Sequence, residues 1–596
     1  MTAEKFRLTL GFTSLLLGLS VGAVASCGSS EVAPPKACVP GRTVACTCDG
    51  GGDGLQTCRG DGSGYDACGF CKIRVKAAAP GKLDDVTEEL GLIGGAGPCL
   101  GFDDFDGDGD PDLIMGHLTA EQTGMTIAPA ELVIHSNDGA GSFSKEPVAK
   151  LLTGGAIICV TGDFDRDGLP DIVAEVGQPE TGVKRRLYHF RNLGDFKFED
   201  RLTAFDVTPI TDQLLLAIGT YDSDNDGQLD IIIGRANGGG PATSESCGME
   251  ENDFICDGIV SMGQTGPLLY RNVGGSFVLM TKTFKGPFPG TTNALAFADL
   301  DENGLTDFFM ANDWYTNHLH MQVKPGVYQR AESILGLNLF NHAMGASIND
   351  YDLDGRPDIY VADLGPNTFY FGKPDGTFEN LNKELGISAV TRYHSNWATL
   401  GEDFNLDGLP DVFVASSGLV TSEEDMIKMA VVFSGPINEK PPQFDLLFWN
   451  QGDRQFEPAT LPHRGDQNPM VVLASSATAD IDADGDLDIA VGAGEGLQLR
   501  ILRNQQKTGN HLILDLVGKA SNPHGVGAVV DLLEGGVVRA RRYAGNGGSV
   551  GNSWKHVHFG LGDKETIDQV RIRWPAGGVQ VLDDVAANQR LRVTEP

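Results

Sequence analysis

Asp104-Phe105-Asp106-Gly107-Asp108-Gly109-Asp110-Pro111-Asp112 is an acidic nine-residue stretch, and the chain repeats its pattern seven times. The other copies begin at Asp163, Asp222, Asp299, Asp350, Asp403 and Asp480. Carboxylate or amide side chains stand at positions 1, 3, 5 and 9 of each copy, with glycine at position 6. Alternating oxygen donors around a sharp glycine turn suit a hard cation of flexible coordination, and Ca²⁺ is the expected one, about seven ions at one per loop. The candidate ligands are Asp104, Asp106, Asp108 and Asp112, then Asp163, Asp165, Asp167 and Asp171, and Asp222, Asp224, Asp226 and Asp230. They continue with Asp299, Asp301, Asn303 and Asp307, with Asp350, Asp352, Asp354 and Asp358, with Asp403, Asn405, Asp407 and Asp411, and with Asp480, Asp482, Asp484 and Asp488. Position 12 is apolar in every copy, from Met115 to Val491, so the bidentate glutamate of an EF-hand is missing.

The segment after each loop is β-rich, as in Asp112-Leu113-Ile114-Met115 and Asp230-Ile231-Ile232-Ile233. Short branched and aromatic runs bounded by turn residues read as buried strands. The loops start 59, 59, 77, 51, 53 and 77 residues apart, a period that points to propeller blades. Between loops lies a second recurring element, an apolar strand, an Asn/Gly turn and a returning strand. It runs from Leu187 to Phe198, from Leu268 to Phe277 and from Leu446 to Phe456, with looser versions from Val133 to Phe143, Leu319 to Tyr328 and Thr368 to Phe378. This is a β-hairpin, so each repeat supplies four antiparallel strands. The seventh hairpin stops at Asn504 without its return, while the stretch from Leu83 to Gly91 is similar to that from Phe378 to Gly386. Leu83–Val86 is therefore expected to close the last blade and remove an open edge. The expected fold class is all-β: a closed seven-bladed β-propeller over residues 80–504 and a small β-sandwich-like domain over 505–596.

These repeats resemble the FG-GAP/VCBS repeats of integrin α-subunit heads and of many secreted bacterial proteins. Residues 505–596 resemble the ASPIC/UnbV domain that follows such propellers in cartilage acidic protein-type sequences. The residues that carry the second resemblance are Gly518, Ser521-Asn522, Gly525-Val526-Gly527-Ala528, His558-Phe559-Gly560-Leu561-Gly562 and Val570-Arg571-Ile572-Arg573-Trp574-Pro575-Ala576-Gly577. The resemblance implies Ca²⁺ in the Asp loops and defines a fold better than a task.

The N-terminus reads as an address. Lys5 and Arg7 precede an apolar run from Leu8 to Ala25 that ends in Ser26-Cys27, a secretory signal over residues 1–26. The cysteine at the cut resembles a bacterial lipobox. Cys27 would then be lipidated and anchor the chain in a bacterial envelope, with Gly28 favouring the outer membrane or cell surface by analogy. A linker, residues 27–37, leads to six cysteines (Cys38, Cys46, Cys48, Cys58, Cys68 and Cys71) in a segment, residues 38–71, with almost no apolar core. Staples are expected there, either three disulfides or zinc at Cys46-Thr47-Cys48 and Cys68-Gly69-Phe70-Cys71. Cys99 and Cys159 precede consecutive Asp loops and could bridge adjacent blades, while Cys247 and Cys256 fall within one insertion.

The formal charge of −36 is concentrated in the loops, where 26 of the 28 ligand positions are carboxylates. Seven Ca²⁺ ions would reduce it to about −22. Such acidity argues against nucleic acid or an anionic membrane surface as partner.

Antiparallel blades place the Asp loops and the Asn/Gly turns at one end of the ring. Both 77-residue repeats carry their insertions at the other end, near Arg235–Gly266 and Ser416–Gln443. Insertions on one face of a repeat fold mark its binding surface. Asp313, Trp314, Tyr315, His342, Tyr393, His394 and Trp397 are the candidate ligand-face residues. No metalloprotease, nucleophile-elbow or phosphate-loop motif occurs, and the carboxylates are too many to single out an acid/base pair. The expectation is a binding or adhesion protein for a glycan, matrix or envelope-protein partner. The alternative is a secreted polysaccharide lyase or hydrolase on a Ca²⁺-stabilised propeller.

Overall fold

The computed structural model describes residues 43–47, 53–59, 63–65, 81–92, 95–118, 130–153, 156–178, 183–201, 204–205, 215–235, 247–250, 253–256, 266–280, 283–284, 290–313, 315–337, 339–382, 384–391, 394–416, 445–461, 474–492, 499–506, 509–545 and 551–596. The signal segment, Cys27, the linker, Cys38, Cys48, Cys68, Cys71, Trp314 and Tyr393 lie outside them.

Each Asp loop joins the first two strands of a four-stranded antiparallel sheet, and the apolar run after it becomes the second strand. Sheet 1 comprises Gly95–Asp103, Asp112–Leu118, Ala130–His135 and Ala149–Thr153. Sheet 2 comprises Ala156–Gly162, Asp171–Gln178, Val183–Asn192 and Phe198–Asp200. Sheets 3 and 4 open with Leu215–Tyr221 and Thr291–Ala298 and close with Phe277–Leu279 and Val327–Arg330. Sheets 5 and 6 open with Ala343–Asn349 and Asn396–Glu402 and close with Phe378–Asn380 and Gln455–Leu461. Sheet 7 has Ser475–Ala479, Asp488–Gly492 and Arg500–Asn504, and its fourth strand is Leu83–Asp85 from the other end of the chain. Leu83 pairs with Asn504 and Asp85 with Leu502, which removes the open edge in the expected way.

The first strand of each sheet lies against the first strand of the next, and Ser475–Ala479 returns to Gly95–Asp103, so the seven sheets form a ring. Apolar side chains fill the spaces between neighbouring sheets. Phe105 of the first loop packs with Ile134 of sheet 1 and Ile172 of sheet 2, and Phe404 of the sixth loop packs with Leu447 of sheet 6 and Ile489 of sheet 7. Cys99 and Cys159 form a disulfide between the first strands of sheets 1 and 2, with a Cα–Cα distance of 5.0 Å.

The C-terminal domain has two sheets around one apolar cluster that includes Leu512, Leu514, Val530, Phe559, Val570 and Trp574. In one, Asn510–Val517 runs antiparallel to Val557–Gly562 and parallel to Gln589–Thr594. The other orders Val537–Tyr543, Val529–Glu534, Thr566–Arg573 and Val579–Ala586. In the N-terminal segment Thr43–Thr47 pairs with Asp53–Thr57, and Cys46 and Cys58 are each disulfide-bonded. Cys247 and Cys256 face each other in register across a short hairpin.

Candidate metal centres and the domain that covers them

The Asp loops share one backbone path. Position 4 adopts a left-handed conformation in all seven copies, at Gly107, Arg166, Asn225, Glu302, Leu353, Leu406 and Ala483. For a residue such as Leu353 or Leu406 that conformation carries strain, and it persists only where the surroundings over-determine it. The position-1 carboxylate supplies part of that determination. In six loops it accepts the N–H groups of positions 5 and 6 at 2.6–3.1 Å. Asp104 accepts from Gly107 and Gly109 instead, at 2.8 and 3.0 Å.

Position 9 does a second job. One oxygen of each of these aspartates accepts an N–H from the hairpin of its own sheet at 2.6–2.9 Å. In six sheets the donor residue is Asn137, Asn192, Asn272, Gln322, Asn450 or Asn504. The side-chain amide of each reaches a position-2 carbonyl in the preceding sheet's loop, as Asn192 does to Phe105 at 2.9 Å and Asn504 to Phe404 at 2.7 Å. Asn137 reaches Ile481 at 2.8 Å and so ties sheet 1 to sheet 7. Sheet 5 is the exception: Gly372 stands there, and a Cβ would come within 2.6 Å of the Pro357 carbonyl. Sequence reasoning marks these asparagines as turn residues only. Their recurrence shortly before a returning Phe was the available signal of a further role.

Position 3 faces two ways. One oxygen of Asp165, Asp224, Asp352 and Asp482 pairs with Arg191, Arg271, Arg454 and Arg503 respectively. The other oxygen of Asp165, Asp224 and Asp482 is buried without a hydrogen-bond partner. Carboxylate oxygens of three aspartates in the same loop, such as Asp163, Asp165 and Asp167, lie within 4.8 Å of one another. Burial above all, with neighbouring carboxylates adding to it, pushes Asp163, Asp299 and Asp480 up to about 7. Asp112 rises to about 8 and Asp411 well above the usual carboxylate range for the same reasons. Crowded carboxylate oxygens, some of them buried without a donor, fit a hard divalent cation with positions 1, 3, 5 and 9 as its holders.

The C-terminal domain lies over this end of the ring and touches every loop. Arg590 donates to the Gly109 carbonyl at 2.8 Å. Arg166 reaches back to the Lys519 and Ser521 carbonyls at 2.7 and 3.3 Å, and Asn225 to the Pro575 carbonyl at 3.2 Å. Arg541, fully buried, joins Asp531 at 2.8 Å, Glu302 of the fourth loop, and the Gly355 carbonyl of the fifth at 2.7 Å. Arg571 also binds Asp531, at 2.9 Å, and this set of arginines holds the Asp531 carboxyl well below the usual range against its burial. Gly562 N–H donates to the Leu406 carbonyl at 2.8 Å, Arg542 to Gly408 at 3.3 Å, and the His558 ring lies 3.1 Å from the Gly485 carbonyl. His558 and His556 are both held neutral by burial. Asn552 enters the ring and pairs along Gly101, accepting from Phe102 and donating to Leu100 at 2.9 Å each.

At the opposite end, His342 Nδ1 lies 2.7 Å from Asp313, Tyr315 pairs with Asn341, and His394 accepts the Gly365 N–H through its carbonyl at 2.9 Å. Trp397 departs from the expected exposure. It is only 4% exposed and belongs to the apolar cluster that joins Met344 of sheet 5 with side chains of sheets 6 and 7, its indole N–H donating to Ser395 Oγ at 3.1 Å, so it is wall rather than open surface. His342 is buried as well, which leaves Asp313, Tyr315 and His394 as the half-buried described members of the set.

The family model described as FG-GAP-like repeat matches residues 104–174, 350–414 and 403–491, and that described as ASPIC and UnbV matches residues 518–596. Among solved structures, the crystal structure of BBS1N in complex with ARL6DN, soaked with lead, is similar at 12% identity and a TM-score of 0.37, covering 72% of this chain and 98% of that one. The COPII outer coat vertex on membranes is similar at 9% identity and a TM-score of 0.39, covering 82% and 99%. Likeness at this level carries no argument about fold or partner. No curated protein matches the chain. What is established is an all-β chain with FG-GAP-like repeats followed by an ASPIC and UnbV domain.

Proposed function

We propose that the chain is a calcium-stabilised seven-bladed propeller of the cartilage acidic protein-like kind, anchored through a lipid on Cys27 in a bacterial envelope. Its task is to bind a glycan, matrix or protein partner through the end of the ring opposite the Asp loops. The observation that carries this reading is the difference between the two ends. The C-terminal domain lies over the Asp loops, from Arg590 on Gly109 to His558 on Gly485. The opposite end is where Arg235 binds the Gly266 carbonyl at 2.9 Å, at the base of one long insertion, and where Ser416 leads into the other. A covered end suits a structural cation, and an end with insertions suits recognition. The disulfide-bonded Cys46 and Cys58 support an oxidising compartment and a small stapled module between anchor and ring.

The test is binding of the purified mature chain to a glycan and matrix-protein array, with Ca²⁺ and with chelator. Calcium-dependent capture of one class, lost in a Tyr315→Ala, His394→Ala variant that melts like the parent, is the expected result. A blank array from protein shown to be folded overturns the glycan and matrix readings and leaves an envelope protein as the partner to seek.

A further inference from the structure

The glycine at position 6 of each Asp loop stands between a candidate ligand and the C-terminal domain. Its N–H donates to the position-1 aspartate in all seven loops, from Gly109 on Asp104 at 3.0 Å to Gly408 on Asp403 at 2.6 Å and Gly485 on Asp480 at 3.1 Å. In five loops the carbonyl of the same glycine is met by a nitrogen-bearing side chain. Arg590, Arg541 and Arg542 of the C-terminal domain donate to Gly109, Gly355 and Gly408 at 2.8, 2.7 and 3.3 Å. The His558 ring lies 3.1 Å from the Gly485 carbonyl. Gly227 is reached by Arg166, whose other terminal nitrogen donates to the Lys519 carbonyl at 2.7 Å. The fit is close from both directions. A Cβ at Gly227 would come 2.5 Å from the Ala520 carbonyl, one at Gly485 would overlap the His511 ring, and one at Gly560 would overlap the Asp403 carboxylate.

We propose that docking of the C-terminal domain is coupled to cation binding through these glycines, so that the domain seats on loops that hold their ion and lifts from loops that have lost it. Such coupling rests on the calcium reading proposed for the loops. An ion on position 1 fixes the carboxylate that holds the glycine N–H, and with it the direction of the glycine carbonyl. Without the ion the crowded carboxylates repel one another and position 1 shifts. Glycine has no side chain to restrain its torsions, so its carbonyl then turns from the donor that met it. Each lost contact is a small bias, repeated around the ring. By linkage the reverse also holds, and a domain that grips these carbonyls tightens the ions beneath it.

The experiment pairs calcium titration with hydrogen exchange on the full chain. Calorimetry of the parent establishes whether it takes up Ca²⁺. Chelation should then raise exchange at least about tenfold in residues 518–528 and 551–556, which contact the ring, while Val529–Glu534 inside the domain's own sheet changes less. In the reciprocal arm, Arg542→Ala combined with Arg590→Ala removes two donors and no ligand. Ca²⁺ binding should weaken by at least about fivefold at the first and sixth loops. If that pair does not fold, Arg590→Ala alone, at a side chain 35% exposed, tests the first loop. Protection of the docking segments that survives chelation, or variants that bind Ca²⁺ as the parent does, overturns the coupling and leaves the calcium reading standing. Docking segments and core strand that open together show the domain melting rather than lifting, and overturn the coupling as well. A parent that takes up no Ca²⁺ overturns the calcium reading and the coupling with it.

Discussion

The two ends of the ring are built on opposite principles. At the Asp-loop end seven loops follow one backbone path, each with a left-handed residue at position 4 and an aspartate at position 9 accepting from its own hairpin. At the other end sheets 4 to 6 solve the same problem differently. His342 leans on Asp313, and Asn396 binds the Asp363 and Gly365 carbonyls at 2.9 and 3.1 Å and the Asn367 side chain at 2.8 Å. Repetition follows from a shared constraint: one loop geometry, one donor set, one carbonyl to reach in the sheet before. Where no common loop imposes a common shape, each junction finds its own polar network, and insertions are tolerated.

Chelation should break this comparison most sharply. If the loops hold Ca²⁺, its removal lowers the melting temperature by about 10 °C or more, since each ion bound well above its dissociation constant contributes a few kcal/mol. Hydrogen exchange should then rise first in the Asp loops and in residues 551–562, before the Asn396 network. A melting temperature indifferent to chelator would remove the cation from the account. The same loops predict a reversal with pH. In metal-free protein the folded carboxyls of Asp104, Asp163 and Asp112, at about 6, 7 and 8, lie above their unfolded value near 4. The folded state then binds more protons, and its stability is greatest in acid and falls as pH rises through that window. With the ion bound, protons compete for its ligands and acid should destabilise. Melting curves from pH 4 to 8, with and without Ca²⁺, should slope in opposite directions; parallel slopes would contradict both claims.

Arg541→Ala should cost about 3–5 kcal/mol in urea unfolding, because it strips buried Asp531 and Glu302 of a shared partner. The effect should reach both domains, since that guanidinium also holds the Gly355 carbonyl. Asn192→Ala removes bonds to the Phe105 and Pro170 carbonyls and should cost about 1–3 kcal/mol. An unchanged unfolding midpoint for it would mean that the amide bolts between sheets are ornamental. Tyr315→Ala, half-buried at the far end, should cost least in stability, within about 1 kcal/mol, and show its effect on partner capture instead.

The loops were legible because their donors are local: positions 1, 3, 5 and 9 sit within nine residues, and Asp163, Asp222 and Asp480 hold them in the expected places. The closing strand was legible because Leu83–Asp85 repeats a sequence found again at Phe378–Asn380. The fit of Trp397 was not, since an aromatic residue at a strand start reads alike whether it faces a neighbouring sheet or solvent.

By itself the sequence determined the all-β class, the four-strand repeat, the acidic loops and the strand that joins the two ends of the ring. These depend on patterns short enough to be read along the chain, namely period-two burial, turn glycines and alternating carboxylates. Only the tertiary structure decided that Asn192 reaches Phe105 and that Arg541 binds two loops and Asp531 at once. Those residues stand 87 to 239 positions from a partner, or belong to different domains. Their contacts come from how sheets and domains pack in space, and no local pattern in the chain records that distance.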